Sequence, residues 1–214
     1  NNLNLLSRPK LEEKIGLNLG RKNLLVTFHP STLESDHPSR QFKSTLEALE
    51  EYSEANILFT KTNADTNGRI INQMIDEFVE VNRERSVAHT SLGQLIYLSA
   101  LKHVDGVVGN SSSGLIEAPS LLTGTINIGN RQKGRTKAIT VIDCLPHCGE
   151  ILKALDELYS QSFQDKLAVV VNPYGVGGAA LKIVKVLRGL DIKALDVQKS
   201  FFDLNDQVLK EAIR

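Results

Sequence analysis

Short apolar runs alternate along this chain with longer stretches in which apolar side chains return every three to four residues. Residues 23–28 (NLLVTF) read as a buried strand that stops at His29-Pro30, because proline has no N–H to give a ladder. Leu11, Ile15 and Leu17 precede it at helical spacing, and Phe42, Leu46 and Leu49 follow it. The run 57–60 predicts a second strand, and residues 63–68 carry turn chemistry. Ile70, Ile71, Met74, Ile75, Phe78 and Val79 then mark an amphipathic helix. The alternation continues with a weak strand near 86–88, a helix over 95–102, a strand at 106–108 and a helix opening in the serine run. Strands at 125–128 and 139–142 follow. Beyond residue 146 the pattern is helical, over 151–158, 163–167, 179–190 and 208–213. Such β-α alternation predicts an α/β fold, a doubly wound parallel sheet with helices on both faces and a helical C-terminal tail.

In open parallel sheets, ligands bind beyond the carboxyl ends of the strands. Three polar constellations fall on that edge: His29 after the first strand, the segment 109–117 (GNSSSGLIE), and the segment 129–135 (GNRQKGR). In the serine segment, Gly109 and Gly114 permit close backbone approach, and Ser111, Ser112 and Ser113 offer hydroxyl donors. A helix starting there presents unpaired N–H groups with about half a positive charge. Glu117 lies one to two turns further on, where a carboxylate can accept hydrogen bonds from a ribose diol. The plainer alternative is a serine N-cap followed by an ordinary helix. Arg131, Lys133 and Arg135 supply phosphate donors or a solvated basic turn. His29 is either a strand-end hydrogen-bonder or a donor to a diphosphate or a leaving oxygen. A second glycine cluster, 172–178 (NPYGVGG), lacks the strand-turn-helix context of a dinucleotide motif, so capping and tight backbone packing explain it better.

Composition narrows the partners. At 214 residues and 41% hydrophobic, the chain can build a sizeable core. Its 25 Lys and Arg cancel its 25 Asp and Glu, so no global field draws it to nucleic acid or to an anionic membrane. No apolar run approaches the roughly 20 residues of a membrane helix. No basic-then-apolar leader opens the chain, and a cytoplasmic location is expected by default. Cys144 and Cys148 flank His147, but no second cluster completes a zinc set, so no metal and no cofactor is expected. A strand ending at Cys144, a Pro146 turn and a new helix is the simpler reading.

Five ordered blocks, VTFHP (26–30), SLGQLIYLSALKHVD (91–105), GNSSSGLIEAPS (109–120), NIGNRQKGR (127–135) and NPYG (172–175), together resemble UDP-N-acetylglucosamine 2-epimerases. The likeness is strongest to the hydrolysing branch that feeds sialic acid synthesis, and it covers nearly all of the chain. It implies one half of a GT-B-type two-domain fold, with residues 1–190 as the C-terminal, UDP-binding Rossmann-like domain. Residues 191–214 would be a tail helix packing on an N-terminal domain. By motif, Ser111, Ser112 and Ser113 with Gly114 would meet phosphate and Glu117 the ribose. Tyr97 and Leu92 would wall the uracil, and His29, Arg131 and Arg135 would face the diphosphate and sugar. Asn63, Asp65 and Arg69 resemble a family loop beside the ligand. Where the family has NPYGDG this chain has Val176, which removes any polar role at that position but not the turn.

The reaction implied is elimination of UDP across C1 and C2 of the sugar to a glycal, then hydration to N-acetylmannosamine. Its carboxylate bases belong, in the family, to the N-terminal domain. The resemblance therefore implies UDP or a UDP-N-acetylhexosamine as partner, an inactive fragment when alone, and compatibility with a homo-oligomer. Another GT-B enzyme such as a glycosyltransferase, or a non-catalytic UDP-binding module, would use the same grip.

Overall fold

The computed structural model describes residues 3–30, 37–63 and 66–191. Six strands form one sheet: β1 (Lys22–Thr27), β2 (Ala55–Thr60), β3 (Ser86–His89), β4 (Gly106–Gly109), β5 (Gly124–Ile128) and β6 (Val141–Cys144). They are ordered β3-β2-β1-β4-β5-β6, and every pairing is parallel. The central strands are buried on both faces, as a parallel sheet between helical layers requires, and they read as continuous apolar runs for that reason.

Odd and even positions of the strands supply two cores. Leu24, Val26 and Phe28 face helices α2 (Pro38–Glu51), α3 (Thr66–Val81) and α6 (Cys148–Leu158), meeting Phe42, Ile75 and Leu155. Leu25, Leu58 and Val107 face α1 (Arg8–Ile15) and α4 (Gly93–His103), meeting Leu11, Ile15 and Leu101. Helix α2 begins with Pro38 in its first turn, where a missing N–H is harmless. Its buried stripe of Phe42, Thr45 and Leu49 follows the helical period. Helix α1 ends on Gly16 at φ 69°, a left-handed cap that suits glycine. The short α5 (Ser113–Ile116) and a 3-10 turn (Ala118–Leu121) lead from β4 to β5, and α7 (Gln161–Ala168) follows α6.

The expected strand at 139–142 lies two residues later, at Val141–Cys144. Ile139 is 61% exposed, whereas Ile142 and Cys144 pack on the core two positions apart. This is an edge strand, so one face is enough to define its register. A strand ending at Cys144 before a turn is as expected.

The chain divides into two compact units, 1–176 and 177–214. The sheet and all elements through α7 belong to the first. The described part of the second is α8 (Ala179–Gly189), entered through Gly178 at φ 79°. The expected helix at 208–213 lies outside the described residues. Among the described residues no helix is long and apolar enough to cross a membrane.

Candidate functional site

The strand order reverses between β1 and β4, which opens the crevice where doubly wound sheets bind ligands. Thr27 pairs with Gly109 at the ends of these strands, so the chain leaves both at one level. Gly109 sits at φ 134°, and a Cβ there would lie 2.0 Å from the Thr27 carbonyl oxygen. Its close approach is to the neighbouring strand rather than to a ligand. Gly114 likewise makes room for the Thr125 side chain, 2.5 Å from a built Cβ.

Asn110, 2% exposed, joins the three constellations. Its Oδ1 accepts the His29 N–H at 2.7 Å, and its Nδ2 donates to the His29 carbonyl at 2.8 Å. Its own carbonyl accepts from Arg131 at 2.9 Å and from Gln132 Nε2 at 2.7 Å. The sequence reading passed over Asn110 and Gln132 as individual residues. The available signal was an amide, both donor and acceptor, placed just past a strand end.

The serine run that follows is not a long helix. Helix α5 is a single turn, broken by Pro119 into the 3-10 turn, and Ser112 at its N-cap makes no side-chain cap bond. Ser111 Oγ instead accepts the Ser113 N–H at 3.3 Å. A helix dipole contributes little over one turn, so an anion held at this turn would depend on the hydroxyl and N–H groups of the turn itself. Ser111, Ser112 and Glu117 are half-buried, and Ser113 and Gly114 are buried.

Leu92 and Tyr97 line one open pocket of about 320 Å³, with Thr60, Thr90, Ser91, Gly93 and Gln94. The structure thus brings together the two residues assigned to a base. Burial pushes the Tyr97 phenol above its ordinary pKa, and the charge of Glu117 adds to the rise. Glu117 also borders a mainly apolar cavity of about 200 Å³ with Leu98 and Leu121.

On the other side of the crevice His29 Nδ1 meets Thr62 Oγ1 at 3.0 Å. Thr62 is in turn held by Asn72, which accepts its N–H at 2.9 Å and donates to its carbonyl at 3.0 Å. Asn63 follows Thr62 with an exposed side chain, and Arg69 is exposed on α3. Asp65 lies outside the described residues.

Arg131 keeps one guanidinium nitrogen on the Asn110 carbonyl. Burial, and then the neighbouring Arg135 charge, pull its pKa below the ordinary value. Among the described residues neither arginine is paired with a carboxylate. Two cations close enough to repel raise the local positive potential. The 172–175 turn packs alongside: Asn172 Nδ2 donates to the Ile116 carbonyl and to Ser120 Oγ, and the Tyr174 hydroxyl donates to the Thr136 carbonyl. Gly175 has φ 98° and nothing within 4 Å of a built Cβ, so conformation and not tight packing accounts for this glycine. Gly178 does serve as a cap.

Cys144 and Cys148 are both free thiols, and burial pushes Cys144 up to about 12. No group of three or more metal-ligating side chains occurs among the described residues.

Known proteins resemble this chain in sequence and in fold. The sequence profile described as UDP-N-acetylglucosamine 2-epimerase matches residues 2–188. The GDP/UDP-N,N'-diacetylbacillosamine 2-epimerase (hydrolyzing) of Campylobacter jejuni is 34% identical over 204 residues, 95% of this chain and 52% of that protein. The polysialic acid biosynthesis protein P7 of Escherichia coli is 32% identical over 203 residues, 94% of this chain and 51% of that protein. The chain spans about half the length of the curated relatives it matches. Among solved structures, the S. aureus MnaA-UDP co-structure superposes with a TM-score of 0.64 at 19% identity, over 94% of this chain and 53% of that one. At that identity the likeness shows the fold alone: a Rossmann-like α/β domain corresponding to one half of a GT-B architecture. With its profile matched from residue 2 to residue 188, this chain belongs to the UDP-N-acetylglucosamine 2-epimerase family.

Proposed function

We propose that this chain is the UDP-gripping half of a hydrolysing 2-epimerase acting on a UDP-activated 2-acetamido sugar in the cytoplasm. The observation that carries the reading is the convergence on Asn110, which holds His29 and Arg131 at the mouth of the serine turn. In this reading Ser111, Ser112 and Ser113 with Gly114 take up the diphosphate, Glu117 accepts the ribose hydroxyls, and Leu92 and Tyr97 border the base. Arg131 and Arg135 oppose the charge that develops as the sugar C1–O bond breaks and UDP departs. His29 donates to the leaving oxygen or to the diphosphate. Asn63, Asp65 and Arg69 flank the sugar side.

Removal of the C2 proton requires a base, and in this reading the carboxylates that supply it lie on an N-terminal domain. Water then adds to the glycal to give a 2-acetamido-mannose product, as for a sialic acid precursor. The 214-residue chain alone then binds UDP and turns nothing over.

Calorimetric titration with UDP tests the site. Ser112→Ala and Glu117→Ala are each expected to weaken binding about ten-fold, equivalent to about 1.4 kcal/mol. Unchanged affinity in both would defeat the assignment. Sugar release from UDP-N-acetylglucosamine by the purified chain would defeat the division of labour between domains.

A further inference from the structure

Tyr97 stands where the base pocket and the serine turn meet. Its side chain lines the pocket with Thr60, Leu92 and Gln94, but its hydroxyl is withdrawn from solvent and has no hydrogen-bond partner. The hydroxyls of Ser113, Thr27 and Ser111 surround it closely enough to act on its ionisation. All three oppose the rise in its pKa as hydrogen-bonding groups, yet none is close and aligned enough to make a formed bond. Ser113 Oγ is equally buried and equally unpartnered, on a residue only 9% exposed. Thr27 Oγ1 is engaged with Thr60 Oγ1 at 2.5 Å, which ties this group of hydroxyls to β2 and so to the pocket wall.

A buried hydroxyl without a partner is destabilising, and native interiors rarely keep two side by side. Such a pair calls for an explanation, and a bond completed when a ligand binds is one. The backbone around Ser113 is well anchored: its N–H is held by Ser111 Oγ, and its carbonyl accepts the Glu117 N–H at 2.9 Å. The side-chain bond between Tyr97 on α4 and Ser113 of the serine turn is unmade.

We propose that Tyr97 is a positioning residue that couples the base pocket to the serine turn. A uracil seated against its ring brings the Tyr97 O–H to donate to Ser113 Oγ, which fixes the 111–113 turn in the geometry that grips a diphosphate. This rests on the reading that the turn binds the diphosphate of UDP. It gives the hydroxyl a task distinct from that of the ring, and it makes phosphate gripping depend on the presence of the base.

The test compares Tyr97→Phe, Ser113→Ala and the double variant of the 214-residue chain, each titrated with UDP and with uridine and melted without ligand. Tyr97→Phe is expected to weaken UDP about ten-fold, with a smaller loss for uridine because the ring is retained. The ligand-free melting temperature should stay level or rise, since an unpaired buried hydroxyl has been removed. The double variant should bind UDP no more weakly than the weaker of the two single variants, because the hydrogen bond they share can be lost only once. A lowered melting temperature with equal losses for UDP and uridine would make Tyr97 merely structural and overturn the proposal. Full additivity in the double variant would also overturn it. If UDP affinity is unchanged in Tyr97→Phe while Ser112→Ala still weakens it, the coupling is wrong and the diphosphate reading stands. If UDP fails to bind the parent chain, the diphosphate reading itself falls.

Discussion

The side-chain amide of Asn110 brackets the backbone of His29, accepting its N–H at 2.7 Å and donating to its carbonyl at 2.8 Å. Asn110 thereby does for two loops what a ladder does for two strands: it continues the β1–β4 pairing past Thr27 and Gly109, where the strands end. Asn110→Ala is expected to lower unfolding free energy by about 3 kcal/mol, since two bonds are lost and buried backbone groups are left unpaired. UDP affinity should fall more than ten-fold as His29 loses its position. Asn110→Asp keeps the acceptor but turns a carboxylate oxygen toward the His29 carbonyl. Its stability should therefore be low at pH 7 and recover as acid protonates the new carboxyl, readable from urea titrations at two pH values.

Glu117 gives a cleaner test of the ribose assignment than affinity alone. A carboxylate that accepts from both ribose hydroxyls must discriminate UDP from 2'-deoxy-UDP, and a hydrogen bond to a charged group contributes about 1.5–3 kcal/mol. The parent chain should prefer UDP by ten-fold or more, and Glu117→Ala should abolish the preference. Equal affinities for the two nucleotides in the parent chain would remove Glu117 from the ribose.

Gly109→Ala places a methyl against the Thr27 carbonyl and a side chain in a positive-φ conformation. Backbone cannot move aside as a flexible side chain can. The expected loss is about 3 kcal/mol or more of stability, seen as a lowered denaturant midpoint. Gly134→Ala, also at positive φ but with nothing within 4 Å, should lose about 1 kcal/mol.

Burial, followed by the charges of Asp143 and Glu150, pushes the Cys144 thiol to about 12, against about 8.5 in an unfolded chain. The folded state therefore keeps a proton that the unfolded state releases above about pH 8.5. Stability owed to this group is intact below that pH and declines as pH rises toward 12. Cys144→Ala should accordingly flatten the fall in unfolding free energy between pH 8 and pH 10. Iodoacetamide at pH 8 should leave Cys144 unmodified until the chain is denatured. Rapid labelling of Cys144 in the native protein would contradict the burial argument.

The elements and their order follow from hydrophobic period alone, because central parallel strands bury both faces and helices bury a stripe. Thus 23–28, 57–60 and 106–108 were legible as strands. The phase of β6 was not, because an edge strand needs only one buried face, and that face is built from Ile142 and Cys144 while Ile139 is left in solvent. In the site, the serine run and Glu117 were visible because their spacing is local. The plainer alternative, a serine N-cap before an ordinary helix, does not form, since Pro119 cuts the helix to one turn and Ser112 makes no side-chain cap bond.

By itself the sequence determined the α/β alternation, the placing of polar loops at strand ends and membership of a family whose ordered blocks it carries. Only the tertiary structure decided what joins those loops. Asn110 reaches His29 across 81 positions and Arg131 across 21. No periodic pattern encodes such bonds, because they exist only once β1 and β4 lie side by side. The same juxtaposition sets the Tyr97 hydroxyl among those of Thr27 and Ser113, three residues that share no local pattern in the chain.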